Sequence, residues 1–122
     1  MDLPRPIFLK LTQIRMPMMA LVSILHRISG VVLAIATPFL LYYFSVSLDS
    51  VDSYQQLLQQ INHISLMLPL VLVMWAFGHH VFAGFRLLLI DFYGRPVQGK
   101  TSAQIVLVLS ALSFVLAVFI VL

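Results

Sequence analysis

The chain has 122 residues, of which 61% are hydrophobic and 9% charged, and its formal net charge is +3. A water-soluble globule of this size would have too little polar surface to cover so many apolar side chains, so the composition leaves a membrane protein. The chain has no cysteine and four acidic residues, all aspartate, which excludes a disulfide scaffold and an iron-sulfur cluster held by this chain alone, and disfavours paired-carboxylate hydrolysis.

The N-terminal segment carries Arg5, Lys10 and Arg15 before the first apolar run. That run is longer than the apolar core of a signal peptide, and no small-residue cleavage site follows it. We therefore interpret the segment as a retained arm on the cytoplasmic side. The chain begins at Met1 without a recognisable transit peptide, which favours a bacterial cell inner membrane over a mitochondrial inner membrane.

Three long apolar runs follow in the chain. Each exceeds the roughly 20 residues that a helix rising 1.5 Å per residue needs to cross about 30 Å of hydrocarbon. None shows the alternation of a membrane β-barrel. The sequence predicts one all-α domain over residues 1–122, with transmembrane helices at about 17–48, 62–91 and 102–122. Residues 51–61 are polar with apolar positions at helical spacing, which predicts a short interfacial helix.

The basic residues predict the orientation. In a three-span arrangement all of them lie on one side of the membrane: Arg5, Lys10, Arg15, Arg27, Arg86, Arg95 and Lys100. The positive-inside rule makes that side cytoplasmic, together with the N-terminus, and leaves Asp49 and Asp52 outside. A nucleic-acid partner is disfavoured because no soluble basic face exists to present to it.

Polar residues cluster where the first span opens, in the segment SILHRISG (23–30). Ser23 and Arg27 are four residues apart and share a helix face, whereas His26 is rotated by about 100° to the flank. Arg27 lies near the basic end of the span, so it could simply extend to the interface. A hydroxyl one turn from a guanidinium is also what a buried carbonyl or carboxylate ligand requires.

His79 and His80 lie deep in the second span, about 17 Å along the helix from Asp91. Their rings point about 100° apart, so they cannot both bind one metal from the same face. We expect small residues on the face of His80 to leave a flat recess that suits a planar macrocycle with an axial imidazole: Ala76, Ala83 and Gly84. The alternative is close helix packing, with the histidine hydrogen-bonded to a neighbouring helix.

A second axial histidine is not expected from this chain. His26 is predicted nearer the cytoplasmic surface and His63 at the outer end of the second span, so neither would share the depth of His80. A second ligand should therefore come from another subunit.

Two segments together carry a family resemblance: SILHRISG (23–30) at the start of the first span, and HHVFAGFRLLLIDF (79–92) at the end of the second. With Arg5 and Pro6 near the start and three spans of similar length, the chain resembles the cytochrome b membrane-anchor subunits of succinate dehydrogenase, the C subunit of respiratory complex II. The likeness covers nearly the whole chain, and the first segment is quite specific.

The resemblance implies roles for four residues. His80 matches the axial ligand of the haem iron. Ser23 and Arg27 match the quinone-binding serine and arginine, and His26 matches a histidine that lies with Arg27 near the haem propionates.

Other positions of the two segments are less informative. Leu87 stands where some relatives have a further histidine, and His79 replaces a more usual aromatic or apolar residue. Arg86 and Asp91 match pattern positions, and we interpret them as a polar pair at the cytoplasmic end.

The resemblance also implies a complex. A flavoprotein subunit would oxidise succinate, an iron-sulfur subunit would pass on the electrons, and quinone would be reduced where this chain meets a second membrane-anchor subunit. Haem b would be shared with that second anchor, and this chain alone would have no activity. Two alternatives stay open: a haem-free structural anchor, and a small channel or transporter subunit with Arg27 and the histidines along a polar path.

Overall fold

The computed structural model describes residues 17–122, which form four helices: α1 (Met18–Asp49), α2 (Val51–Ile61), α3 (Ile64–Tyr93) and α4 (Lys100–Val121). Three of them, α1, α3 and α4, are long and apolar enough to cross a membrane. The predicted cytoplasmic arm with Arg5, Lys10 and Arg15 lies outside the described residues. Within residues 17–122 there is no strand, and the prediction of an all-α chain with three long apolar helices is confirmed.

Local sequence signals explain where the helices begin and end. Pro17 caps α1 in extended conformation, at a position where a missing N–H costs no helical hydrogen bond. Ser50 and Ser53 form a capping box at the start of α2, each backbone N–H donating to the other hydroxyl. α3 stops at Gly94, whose φ of 69° favours glycine and whose N–H donates to the Ile90 carbonyl at 2.8 Å.

The long helices pack around α3, which contacts both α1 and α4, while α1 also contacts α4. Val22 of α1, Ala83 of α3, and Ala103 and Val106 of α4 form the buried hydrophobic cluster where they meet. The backbones of α3 and α4 approach closely at Gly78, where an added Cβ would lie 2.6 Å from the Ser113 hydroxyl oxygen. Small residues at such crossings are typical of membrane helix packing.

Most large apolar side chains of α1, α3 and α4 are exposed. In water this surface would be costly, whereas lipid or a neighbouring transmembrane subunit accommodates it. The chain is therefore a multi-pass membrane protein. Its orientation in the membrane and the interfacial position of α2 stay predictions.

Candidate functional site at the α1–α3 contact

Two histidines from different helices meet at the contact between α1 and α3. The rings of His26 and His80 stack with centroids 4.2 Å apart and an interplanar angle of 16°. The sequence-based expectation that His26 lies at another depth than His80 is therefore wrong. Sequence position gives the depth of a residue along its own helix, whereas the stagger between two packed helices depends on how their side chains interlock.

The hydrogen bonds of His80 determine its tautomer. Its Nδ1 lies 3.2 Å from the backbone carbonyl oxygen of His26 and 3.1 Å from Ser29 Oγ. A carbonyl oxygen only accepts hydrogen bonds, so Nδ1 carries the proton. In the neutral imidazole, Nε2 is then unprotonated, and it makes no hydrogen bond within residues 17–122. The ring thus presents a free nitrogen lone pair.

Glycine makes room for this ring. A Cβ added at Gly30 would lie 3.1 Å from His80 Cε1, tighter than ordinary van der Waals contact, and one at Gly84 would lie 3.3 Å from His26 Nε2. Ala76 and Ala83 do not form the recess that the sequence predicted beside His80. Those two alanines are buried with His79 instead, because the face that α3 buries follows 3-4-3 spacing through Ala76, His79, Ala83 and Arg86.

His79 belongs to a second polar cluster, between α3 and α4. Its side chain is 0% exposed, and its Nδ1 lies 2.8 Å from Ser110 Oγ, which also accepts a hydrogen bond from Trp75 Nε1 at 3.1 Å. His79 Nε2 is buried without a hydrogen-bond partner among the described residues. Both histidines thus make the cross-helix hydrogen bond that the packing alternative describes for His80: His80 bonds to α1, and His79 bonds to α4.

Ser23 and Arg27 lie on another flank of α1. Val22 and Ser29 mark the buried face of this helix, and the two predicted quinone residues are rotated from Val22 by about 100° and 140°. Ser23 is half-buried and Arg27 is exposed, and neither side chain makes a hydrogen bond with another described residue. Their donors are thus available at the surface of this chain.

Arg86 and Asp91 do not form the predicted polar pair. Arg86 is only 7% exposed, and its Nε donates to Ser102 Oγ at 2.9 Å, whereas Asp91 is exposed and forms no ion pair with the described residues. Residues five apart on a helix point about 140° away from each other, so the two side chains cannot meet on one face. Ser102 in turn donates toward the carbonyls of Val97 and Gly99, which ties the loop before α4 to α3.

The arrangement can supply one ligand to a metal. Within residues 17–122 no group of three histidine, cysteine or carboxylate side chains could hold a bare ion. A prosthetic group that brings its own equatorial ligands needs only an axial donor from the protein. His80 fits such a group, because its Nδ1–H is held by a backbone carbonyl and its Nε2 is free.

An apolar cavity of about 470 Å³ lies apart from both histidine clusters. It lies between α1, α2 and α3 and is open on one side, and Tyr43, Leu57 and Pro69 are among the residues that line it. No histidine, serine or arginine lines it, so it has no part in the candidate site.

Two residues that contact His80, namely Ser29 and Gly30, have no role predicted from the sequence. Ser29 and Gly30 stand inside the SILHRISG segment, but single-helix periodicity does not show that they face His80. The spacing of three between His26 and Ser29, which brings the serine hydroxyl to the His26 carbonyl, was the available signal. The roles predicted for His80, Ser23, Arg27 and His26 stay predictions.

Comparison with known proteins shows what the chain is similar to. A family model described as succinate dehydrogenase/fumarate reductase transmembrane subunit matches residues 1–120. A protein of Coxiella burnetii named succinate dehydrogenase cytochrome b556 subunit is 37% identical over 120 residues, which cover 96% of this chain and 96% of the relative.

Proposed function

The chain belongs to the family of succinate dehydrogenase/fumarate reductase transmembrane subunits, and from that premise we propose that it is the membrane-anchoring cytochrome b subunit of a succinate:quinone oxidoreductase. In this function His80 would hold the iron of haem b, and Ser23 and Arg27 would supply donors to the quinone-reduction site. The chain has no activity by itself. Electrons from succinate oxidation reach quinone through the assembled complex.

The free Nε2 of His80 carries the haem proposal. The carbonyl of His26 and the hydroxyl of Ser29 hold Nδ1–H, so the ring keeps the tautomer and direction that an iron ligand needs. When bound, haem b supplies a one-electron centre within the membrane. His80 would hold its iron, and a second anchor subunit would supply the other protein ligand, because the His26 ring is already stacked on His80.

The exposed flank of α1 supports the quinone proposal. Ser23 would donate its hydroxyl to a quinone carbonyl, and Arg27 would stabilise negative charge that develops on that oxygen during reduction. A guanidinium on an apolar span is costly in lipid unless it extends to the membrane interface or meets a polar partner. The cost disappears where another subunit and a quinone cover it, and Arg27 with His26 would also face the haem propionates there.

The proposed partners are a second membrane-anchor subunit, an iron-sulfur subunit and a flavoprotein subunit. The relative from Coxiella burnetii supports a bacterial cell inner membrane as the location. The cytoplasmic ends of α1 and α3 would then face the iron-sulfur subunit, in agreement with the orientation predicted from the basic residues.

The test is a reduced-minus-oxidised optical spectrum of the purified complex, together with its succinate:quinone activity. We expect a low-spin haem b signal in the parent complex and its loss in His80→Leu. Reduction of a soluble dye that accepts electrons before the membrane site should continue in this variant.

His63→Asn is the matched control. His63 caps α3 through its side chain, and asparagine preserves such a cap. This variant should retain the parent spectrum. An unchanged haem spectrum in His80→Leu would overturn the ligand assignment, and a parent complex that reduces quinone without any haem would identify the chain as a haem-free anchor.

A further inference from the structure

Among the described residues, Ser29 is the one hydroxyl side chain that hydrogen-bonds to the proposed haem ligand. Its side chain is 0% exposed, in the middle of the α1–α3 contact. Its Oγ lies 2.8 Å from the His26 carbonyl oxygen and 3.1 Å from His80 Nδ1. The same carbonyl lies 3.2 Å from His80 Nδ1, so the three groups form a closed triangle of hydrogen bonds.

The direction of each hydrogen bond follows from the groups themselves. The hydroxyl has one proton, and it donates that proton to the His26 carbonyl. The hydroxyl oxygen therefore faces His80 with a lone pair and accepts from Nδ1–H. The Nδ1 proton is shared between two acceptors, the Ser29 oxygen and the His26 carbonyl oxygen. Of the two neutral tautomers, only the one with an unprotonated Nε2 satisfies this network.

We propose that Ser29 is a positioning residue that, as the second acceptor of the His80 Nδ1 proton, holds the rotation of the His80 ring and thereby tunes the haem it ligates. The inference rests on the proposed role of His80. A hydrogen-bond acceptor on the far nitrogen makes an imidazole a stronger electron donor to its metal. A stronger donor favours the oxidised iron and so lowers the reduction potential.

Without the Ser29 hydroxyl, the His26 carbonyl still accepts from His80 Nδ1–H, but the second acceptor is lost. The site is fully buried, so water does not replace a missing hydroxyl there. Gly30 next to it brings the α1 backbone within reach of the His80 ring. Ser29 therefore contacts the Nδ1 edge of the His80 ring on the side where Gly30 leaves space.

Ser29 could instead serve only its own helix, by donating to a carbonyl three residues back. Ser47 does this in the same helix: its Oγ lies 2.6 Å from the Phe44 carbonyl oxygen, with no histidine in contact. Ser47 is therefore a matched control. It has the same residue type, helix and local hydrogen bond, and it lacks the contact with His80.

The experiment compares Ser29→Ala, Ser29→Thr and Ser47→Ala in the assembled complex. The measurements are the haem midpoint potential by redox titration, the low-spin spectrum, and haem retained per complex. In Ser29→Ala we expect a more positive potential and haem held roughly 10- to 100-fold more weakly. Ser47→Ala should match the parent. Ser29→Thr retains the hydroxyl and should return the potential toward the parent value.

The outcomes separate this inference from the proposed function. If His80→Leu keeps a normal haem spectrum, the ligand assignment fails. If His80→Leu loses the haem but Ser29→Ala keeps the parent potential and spectrum, only the role of Ser29 is overturned, whatever Ser29→Thr shows. Equal changes in Ser29→Ala and Ser47→Ala would also overturn it, because they would reflect a general effect on α1.

Discussion

The rings of His26 and His80 stack at 4.2 Å, and each lies against a glycine of the other helix. Gly30 of α1 makes room for His80, and Gly84 of α3 makes room for His26. Stacked rings of this kind add about 0.5–1.5 kcal/mol beyond the area they bury. Because each glycine leaves space for the ring of the other helix, two polar rings fit between α1 and α3 while the two backbones stay close together.

Gly30→Ala tests this arrangement. The new Cβ would lie 3.1 Å from His80 Cε1, so the ring has to move by a few tenths of an ångström. Alanine favours a helix by about 1 kcal/mol over glycine, so we expect little loss of thermal stability. The expected signature is a shifted haem spectrum, with Gly99→Ala as control because its nearest atom lies 3.9 Å away. An unshifted spectrum would show that the recess at Gly30 does not constrain the ligand.

Ser110→Ala should weaken the contact between α3 and α4. The substitution removes the hydrogen-bond partner of both Trp75 Nε1 and His79 Nδ1. A buried polar group without a partner costs about 1–3 kcal/mol, and less where membrane helices find other partners. We expect a lower thermal midpoint of the solubilised complex.

Ser113→Ala provides the comparison for that measurement. Ser113 lies one turn further along α4, and its hydroxyl donates to the Leu109 carbonyl of its own helix at 2.9 Å. Its removal leaves no cross-helix donor unpaired, so the midpoint should change less than in Ser110→Ala. Equal midpoints in the two variants would mean that the cluster around His79 contributes nothing to the packing of α3 on α4.

The sequence predicts the long helices well because apolar length is a property of each segment by itself. Runs of more than 20 apolar residues need no partner to indicate α1, α3 and α4. Relations between helices are different. The burial of His79, the stack of His26 on His80, and the Ser102 partner of Arg86 depend on rotation and stagger between helices. Rotation and stagger are determined by how the side chains of two helices interlock, and the periodicity of one helix carries no information about its neighbour.

A reporter fused after Leu122 should be external, and one inserted at Gly99 should be cytoplasmic. The reason is that three spans place all seven lysines and arginines on one side of the membrane. A phosphatase active only outside and a fluorescent protein active only inside provide paired measurements. The reverse pattern at both positions would refute the predicted orientation.

Quinone reduction should depend on Ser23 and more strongly on Arg27. Ser23→Ala removes one hydrogen bond worth about 0.5–1.5 kcal/mol, or up to roughly tenfold in quinone affinity or rate. Arg27→Leu removes a charged donor worth about 1.5–3 kcal/mol, or roughly tenfold to 150-fold. Arg27→Lys keeps the charge but lacks the planar fork, so its activity should fall between those of the parent and Arg27→Leu.

Comparing a soluble dye with quinone as the electron acceptor distinguishes a role in quinone binding from a structural role. Dye reduction occurs before the membrane site, so it should be unchanged in all three variants, while quinone reduction falls. Ser45→Ala, at an exposed serine further along α1, is the control and should match the parent with both acceptors. Equal loss of dye reduction would mean that Ser23 and Arg27 hold the complex together. Unchanged quinone reduction in Ser23→Ala and Arg27→Leu would mean that neither residue binds quinone. Arg27 would then only extend to the membrane interface, where a guanidinium near the basic end of α1 is stable without a ligand.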